Sequence, residues 1–327
     1  MIVRITRGDL VESSHVVDFC VTDARGDVLL ADGDIERPVF LRSAAKPFIA
    51  AAIVATGAAD RFAFDARELA VIAASHNGEP IHVAAVRGIL AKIGLGVEAL
   101  QCGAHAPAFE PAAAALAAAG EAPSALHNNC SGKHAGILAA CVHLGLDPAG
   151  YLSAEHPVQR RILDLCARLA GVPAASLPLA VDGCGIPVYA VSLRRAAWSF
   201  ARLATLDGVG AADAADLERV RAAMRTEPRY VAGTGRFDTA LMEATGGRIV
   251  CKAGAEGVHG DALLREGLGL VLKVRDGARR AAAPAALAIC ERLGALEPGE
   301  AAALGAFAAP VVHNVAGATV GRVEAVV

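Results

Sequence analysis

Leu41-Arg42-Ser43-Ala44-Ala45-Lys46-Pro47-Phe48 divides the chain: before it the residues read as strands, after it as a long alanine-rich helical stretch. If the run that begins here is helical, Ser43 and Lys46 lie on one face, one turn apart. A serine hydroxyl becomes a useful nucleophile only when something takes its proton, and a lysine can do so only as the free amine. Its pKa of about 10.4 must then fall by several units, through burial or a second cation. Ala44, Ala45, Phe48 and Ile49 are residues that desolvate. With ten Ser and five Lys in 327 residues, a chance S-x-x-K is expected about 0.15 times.

Outward from that stretch, Val3 to Ile5, Val16 to Val21 and Val28 to Leu30 have β character, the last two joined by the hairpin signal Asp23-Ala24-Arg25-Gly26-Asp27. Residues 43 to 175 read as helical, interrupted by two polar loops, Ser75-His76-Asn77-Gly78-Glu79 and His127 to His134. Asp182-Gly183-Cys184-Gly185-Ile186-Pro187 is too rich in Gly and Pro for a helix. Helical character returns over 190 to 245. Strands are expected at 248 to 252, 268 to 274 and 311 to 327, with a turn near Gly317 and a helix between 278 and 295. Strands at both ends of a chain can complete one antiparallel sheet. The expectation is a single α/β (α+β) domain over 1–327, its sheet drawn from about 1–40 and 246–327 and its helical lobe from about 43–245.

A net charge of −3 gives no electrostatic footprint for nucleic acid, and no basic run suggests a membrane surface. No apolar stretch approaches the roughly 18 residues of a membrane span. The N-terminus lacks the apolar core of a secretory signal, so a cytoplasmic enzyme is expected. Eight Cys in a reducing compartment read as buried thiols or metal ligands. Only five of the 31 basic residues are Lys, and an amine, unlike a guanidinium, can shed its proton near neutrality.

Three short motifs follow in order: S-x-x-K at 43–46, S-x-N at 75–77 and K-x-G at 252–254. Serine β-lactamases and penicillin-binding proteins use the same grammar. It offers two Ser/Lys pairs, Ser43 with Lys46 and Ser75 with Lys252. Two amines in one pocket would help to keep each other neutral. A second constellation is Cys130, Lys133 and Cys184, two thiols on Gly-containing bends with an amine between them. Two thiolates suit Zn²⁺, but Lys is not a usual ligand, and buried free thiols beside a lysine remain the alternative. Holding Lys133 neutral at pH 7 costs about 4.6 kcal/mol. Structural zinc binding, at about 10 to 16 kcal/mol, covers that.

Together the strings R-S-A-A-K-P, A-S-H-N-G-E-P, N-N-C-S-G-K-H-A-G, D-G-C-G-I-P and C-K-A-G-A-E-G-V-H-G resemble the asparaginase family typified by the inducible rhizobial L-asparaginase, from about residue 10 to the C-terminus. The resemblance implies a fold akin to serine β-lactamases and serine-type glutaminases, hydrolysis of L-asparagine to L-aspartate and ammonia, and a homodimer. It carries the family's two Ser-Lys tandems onto Ser43/Lys46 and Ser75/Lys252, and its zinc site onto Cys130, Lys133 and Cys184. Arg42, His134 and Asp182 match motif positions close to that pocket and are expected to bind substrate. The K-x-G here is Lys-Ala-Gly, without the threonine that penicillin-recognising enzymes use to hold a carboxylate, which argues against a β-lactam substrate. A glutaminase or another serine amidohydrolase is the alternative enzyme, and a zinc-stabilised binding protein the alternative of another class.

Overall fold

The computed structural model describes residues 1–326, so Val327, the last residue of the expected C-terminal strand, lies outside the described residues. Its strands are β1 (Ile2–Arg7), β2 (Leu10–Thr22), β3 (Val28–Asp32), β4 (Pro38–Phe40), β5 (Leu179–Val181), β6 (Pro187–Ser192), β7 (Ile249–Ala253), β8 (Val258–Leu263), β9 (Leu268–Val274), β10 (Val311–His313) and β11 (Thr319–Val326). The chain divides into two compact units. One holds residues 1–44, 191–208 and 240 onward; the other holds 45–190 and 209–239.

The first unit is built on an antiparallel sheet ordered β10-β11-β1-β2-β9-β8-β7, with β3 also paired to β2. The N-terminal and C-terminal strands are direct neighbours, Ile2 opposite Val326 and Ile5 opposite Val323. β8 and β9 are buried almost throughout, which is why Leu268 to Val274 reads as a nearly continuous apolar run rather than an alternation. β2 is buried only along its second half. The β2–β3 turn is tied by the Asp23 carboxylate, which accepts from the amides of Arg25 and Asp27 at 2.9 and 3.0 Å. Gly26 supplies the positive φ of 88° that the turn needs.

The helix Leu193–Thr205, from the stretch the sequence reading assigned to the lobe, packs on this sheet. Its buried face is Leu193, Ala196, Ala197, Phe200, Ala201 and Ala204. The strand residue beneath must be glycine, because a Cβ on Gly269 would lie 2.0 Å from the Ala197 carbonyl oxygen. A second helix, Ala282–Arg292, packs against β8, β9 and β11.

The other unit is mainly helical. The helices Lys46–Val54, Ala66–Ile72, Pro80–Lys92, Ser131–His143, Pro157–Ala170 and Ala211–Thr226 enclose a core that includes Phe48, Ile53, Ile72, Ile89, Ile137, Leu138, Leu165, Leu217 and Met224. Asp65 and Glu68 form a reciprocal capping box at the start of Ala66–Ile72. Ser131–His143 crosses that helix through Gly132 and Gly136. A Cβ on Gly132 would sit 2.0 Å from the Val71 carbonyl oxygen, and one on Gly136 would sit 2.9 Å from Ile72 Cγ2. β5 and β6 pair as a hairpin, Leu179 opposite Tyr189 and Val181 opposite Pro187. No helix among the described residues is long and apolar enough to cross a membrane.

Candidate active site

Within the helical unit, Lys46 opens the helix Lys46–Val54, and its whole side chain is buried, at 1% exposure. The amine donates to the carbonyl oxygens of Ala74 and, at 3.3 Å, Asn129, and lies 2.9 Å from Ser75 Oγ. Burial lowers the Lys46 pKa, with Lys133 adding to that and the Cys130 thiol opposing it. The motif reading pairs Lys46 with Ser43 and Ser75 with Lys252; the hydrogen bond in this unit joins Lys46 to Ser75.

Backbone pairing holds the Ser75-His76-Asn77 segment in place: Ser75 N–H donates to Val231 O at 2.9 Å and Asn77 N–H to Ala232 O at 3.0 Å. Close approach at the next residue depends on Gly233, where a Cβ would lie 2.2 Å from Asn77 Oδ1. His76 is buried and keeps one tautomer. Its Nδ1 accepts from Gly78 N–H, so Nε2 carries the proton and donates to Ser131 Oγ at 2.9 Å. The Ser131 hydroxyl in turn donates to Leu126 O. Burial holds His76 well below the ordinary histidine pKa, which keeps this chain neutral.

Cys130, Lys133 and Cys184 come together although they belong to different elements. The stretch read as a polar loop becomes helix at Ser131, so Lys133 lies on the first turn of Ser131–His143 with Cys130 as its N-cap. Cys184 is delivered by the β5–β6 turn, closed by Asp182 N–H to Ile186 O and Gly185 N–H to Asp182 O, with Gly185 at φ 91°. Asp182 itself is half-buried on that turn, its carboxylate accepting from Gly183 N–H at 2.8 Å.

Lys133 Nζ donates to Cys184 Sγ at 2.9 Å. The Cys130 thiol is held well below its usual pKa by a hydrogen bond from Cys184 and by the two lysines, against the opposing effect of burial. Cys184, the donor, is pushed up. Burial disfavours the Lys133 ammonium, but Cys130 and Cys184 more than offset it and raise its pKa.

His134 follows on the same helix and is fully buried. Its Nδ1 lies 2.7 Å from the Tyr151 hydroxyl, which accepts from Gln101 N–H at 2.8 Å. The Tyr151 proton is then free to go to Nδ1, leaving the His134 proton on Nε2, and Nε2 is a buried atom with no hydrogen-bond partner among the described residues. Burial, with Lys133 and Lys46 nearby, keeps the ring neutral. Tyr151 carried no motif signal; its single visible trait is that it is one of only three tyrosines.

In the sheet unit, Ser43 lies on the turn Arg42–Ala45 that leads directly into Lys46. Arg42 has φ 52°, a left-handed conformation costly for a residue with a side chain and a mark of a constrained site. Lys252, at 0% exposure, lies near the end of β7 and donates to Ala253 O at 2.7 Å. Two residues on, Gly254 brings the strand end against the Ser43 turn: a Cβ there would lie 2.7 Å from Leu41 O and 3.3 Å from Ala44 N. The glycine of K-x-G is thus a requirement of close backbone approach.

Known proteins extend this picture. No curated protein matches the sequence significantly. Among solved structures the chain is similar to Mglu, at 15% identity and TM-score 0.45, covering 85% of this chain and 67% of that one. For Mglu in its native form in 4.3 M NaCl, the values are 16%, 0.43, 85% and 60%. A putative β-lactamase from Bacteroides dorei is similar at 15% identity and TM-score 0.44, covering 79% of this chain and 84% of that one. The family model for L-asparaginase II matches residues 3–325, nearly the whole sequence and all five motif strings. The chain therefore belongs to the L-asparaginase II family and is an asparaginase-type amidohydrolase.

Proposed function

We propose that the protein hydrolyses the side-chain amide of L-asparagine, giving L-aspartate and ammonia through an acyl-enzyme. Ser43 Oγ attacks the amide carbon while the free amine of Lys46, one turn along the chain, takes the hydroxyl proton. As the C–N bond breaks, the nitrogen needs a proton. Lys46, hydrogen-bonded to Ser75, supplies one route, and Lys252, carried over from the family's motif, is the second amine of the pair. Water then cleaves the ester. The carrying observation is the fully buried Lys46 amine, 2.9 Å from a serine hydroxyl, with hydrogen bonds to two carbonyl oxygens and, among the described residues, none to a carboxylate. The unsatisfied Nε2 of His134 suits a substrate carbonyl or carboxylate oxygen, and Arg42 and Asp182 suit the two charged ends of an amino acid.

Cys130, Lys133 and Cys184 fit a zinc ion by their donor chemistry: two buried sulfurs, and an amine 2.9 Å from Cys184 Sγ. Zinc bound there would release the protons that these donors carry. The ion would act as a Lewis acid and as a template. This chain's own part is to hold the three donors on a helix start and a tight turn. The same resemblance supports a homodimer, which sedimentation of the purified protein tests.

Ammonia release from Asn and from Gln, measured for wild type, Ser43→Ala and Ser75→Ala, tests the reaction. Asn should be the better substrate, and Ser43→Ala should lose nearly all turnover. Near-normal release by Ser43→Ala removes it as nucleophile, and preference for Gln makes the enzyme a glutaminase. Zinc content should fall by about one per chain in Cys130→Ala.

A further inference from the structure

β7 and β8 run antiparallel with Cys251 opposite Asp261 and Ala253 opposite His259. Side chains alternate along a strand, so Cys251, His259 and Asp261 share one face of the sheet while Lys252 and Gly260 take the other. Their sulfur, nitrogen and oxygen atoms all lie within 4.8 Å of one another. The three residues are 0%, 1% and 0% exposed. His259 Nε2 is 2.7 Å from Asp261 Oδ1, whereas the buried Asp261 Oδ2 has no hydrogen-bond partner among the described residues.

We propose that these three residues form a metal site for a divalent cation of the zinc type. It shares no ligand with Cys130, Lys133 and Cys184 and is independent of the reading given above. A carboxylate oxygen fully removed from water and left unsatisfied is costly, and a cation bound to it removes that cost. One thiolate and one carboxylate also neutralise a 2+ ion, so the loaded site puts no net charge into the apolar layer around it. The donor set of sulfur, imidazole nitrogen and carboxylate oxygen is the one zinc accepts, with three protein ligands and room for a fourth. Tetrahedral bonds of about 2.0 to 2.3 Å separate the ligand atoms by roughly 3.3 to 3.7 Å. A cation held by His259 Nε2 and Asp261 Oδ2 would replace the present 2.7 Å contact between Nε2 and Oδ1. The site ties β7 to β8 directly beside Lys252, and so acts as a staple for the strand that carries that amine.

The test uses the full chain with Cys130→Ser and Cys184→Ser, which removes the other two thiols of interest. After dialysis against zinc, elemental analysis should find one zinc per chain. Titration with Co²⁺ should give a thiolate-to-cobalt charge-transfer band saturating at one equivalent. Adding Cys251→Ser should abolish the band, and Asp261→Asn should weaken cobalt binding at least tenfold. A folded double variant that holds no zinc and gives no band overturns the proposal. If the double variant does not fold, the wild-type background serves: Cys251→Ser and Asp261→Asn should each lose one zinc equivalent per chain, and unchanged content in both is the contrary result.

Discussion

A lysine amine that donates to Ala74 O and Asn129 O has used two N–H bonds, and its third partner is a hydroxyl that can either accept or donate. As a free amine Lys46 keeps both donor bonds and accepts the Ser75 O–H hydrogen bond on its lone pair, so the site tolerates the deprotonated form. Lys46→Met should lower kcat by about 10² to 10⁴, the usual worth of a general base. Lys46→Arg should do no better, because a guanidinium cannot deprotonate. Because burial lowers the Lys46 pKa, the active free-base form accumulates as pH rises through that lowered value. The kcat/KM profile for asparagine should therefore climb and level off below pH 10.4, the neighbourhood of ordinary lysine. A profile still rising there would remove Lys46 as the base. Ser43, Lys46 and the two cysteines stand out in the sequence because rare residue types recur in short motifs. Tyr151 does not, because its role comes from a hydroxyl reaching a histidine seventeen residues away, a distance no local pattern encodes.

Glycines are the decisive residues at the scale of elements. Gly132→Ala places a methyl 2.0 Å from a backbone oxygen that cannot move without shifting the helix Ala66–Ile72. Overpacking of this kind costs about 3 kcal/mol, readable as a lower urea midpoint. Gly254→Ala presses on Leu41 O and Ala44 N, so it should disturb the Ser43 turn and cut turnover more than stability. Comparing kcat with the unfolding midpoint separates the two effects. β9 was legible to the residue, Leu268 to Val274, because it is apolar throughout. β8 was not, since Val258-His259-Gly260-Asp261-Ala262-Leu263 carries His, Gly and Asp where a buried strand is expected to be apolar. Those polar residues are buried by clustering with Cys251 across the strand pair, a non-local arrangement.

For the molecule as a whole, acid is the informative stress. Glu79, at the start of the helix Pro80–Lys92, accepts from Thr234 N–H at 2.6 Å, Thr234 Oγ1 at 3.0 Å and Arg229 at 2.9 Å. Burial opposes its ionisation, but those donors outweigh it and its pKa is lowered. The stabilisation is present above the unfolded glutamate value of about 4.3 and is lost as pH falls through the lower folded one. Glu79→Gln should cost about 1.5 to 3 kcal/mol at pH 7 and progressively less toward pH 3, as read from urea unfolding at each pH. The antiparallel sheet with strands from both ends was readable because β-branched runs flank the alanine-rich middle. The assignment of Leu193–Thr205 to the sheet was not, because an amphipathic helix does not say which surface it covers.

The pairing of β1 with β11 sets an order of events during synthesis. Ile2 precedes its partner Val326 by 324 residues, so this ladder can zip only after everything between them has been made. Because those two strands lie side by side, a short peptide bridging them should allow the chain to be reopened at an exposed loop elsewhere as a circular permutant with the same sheet.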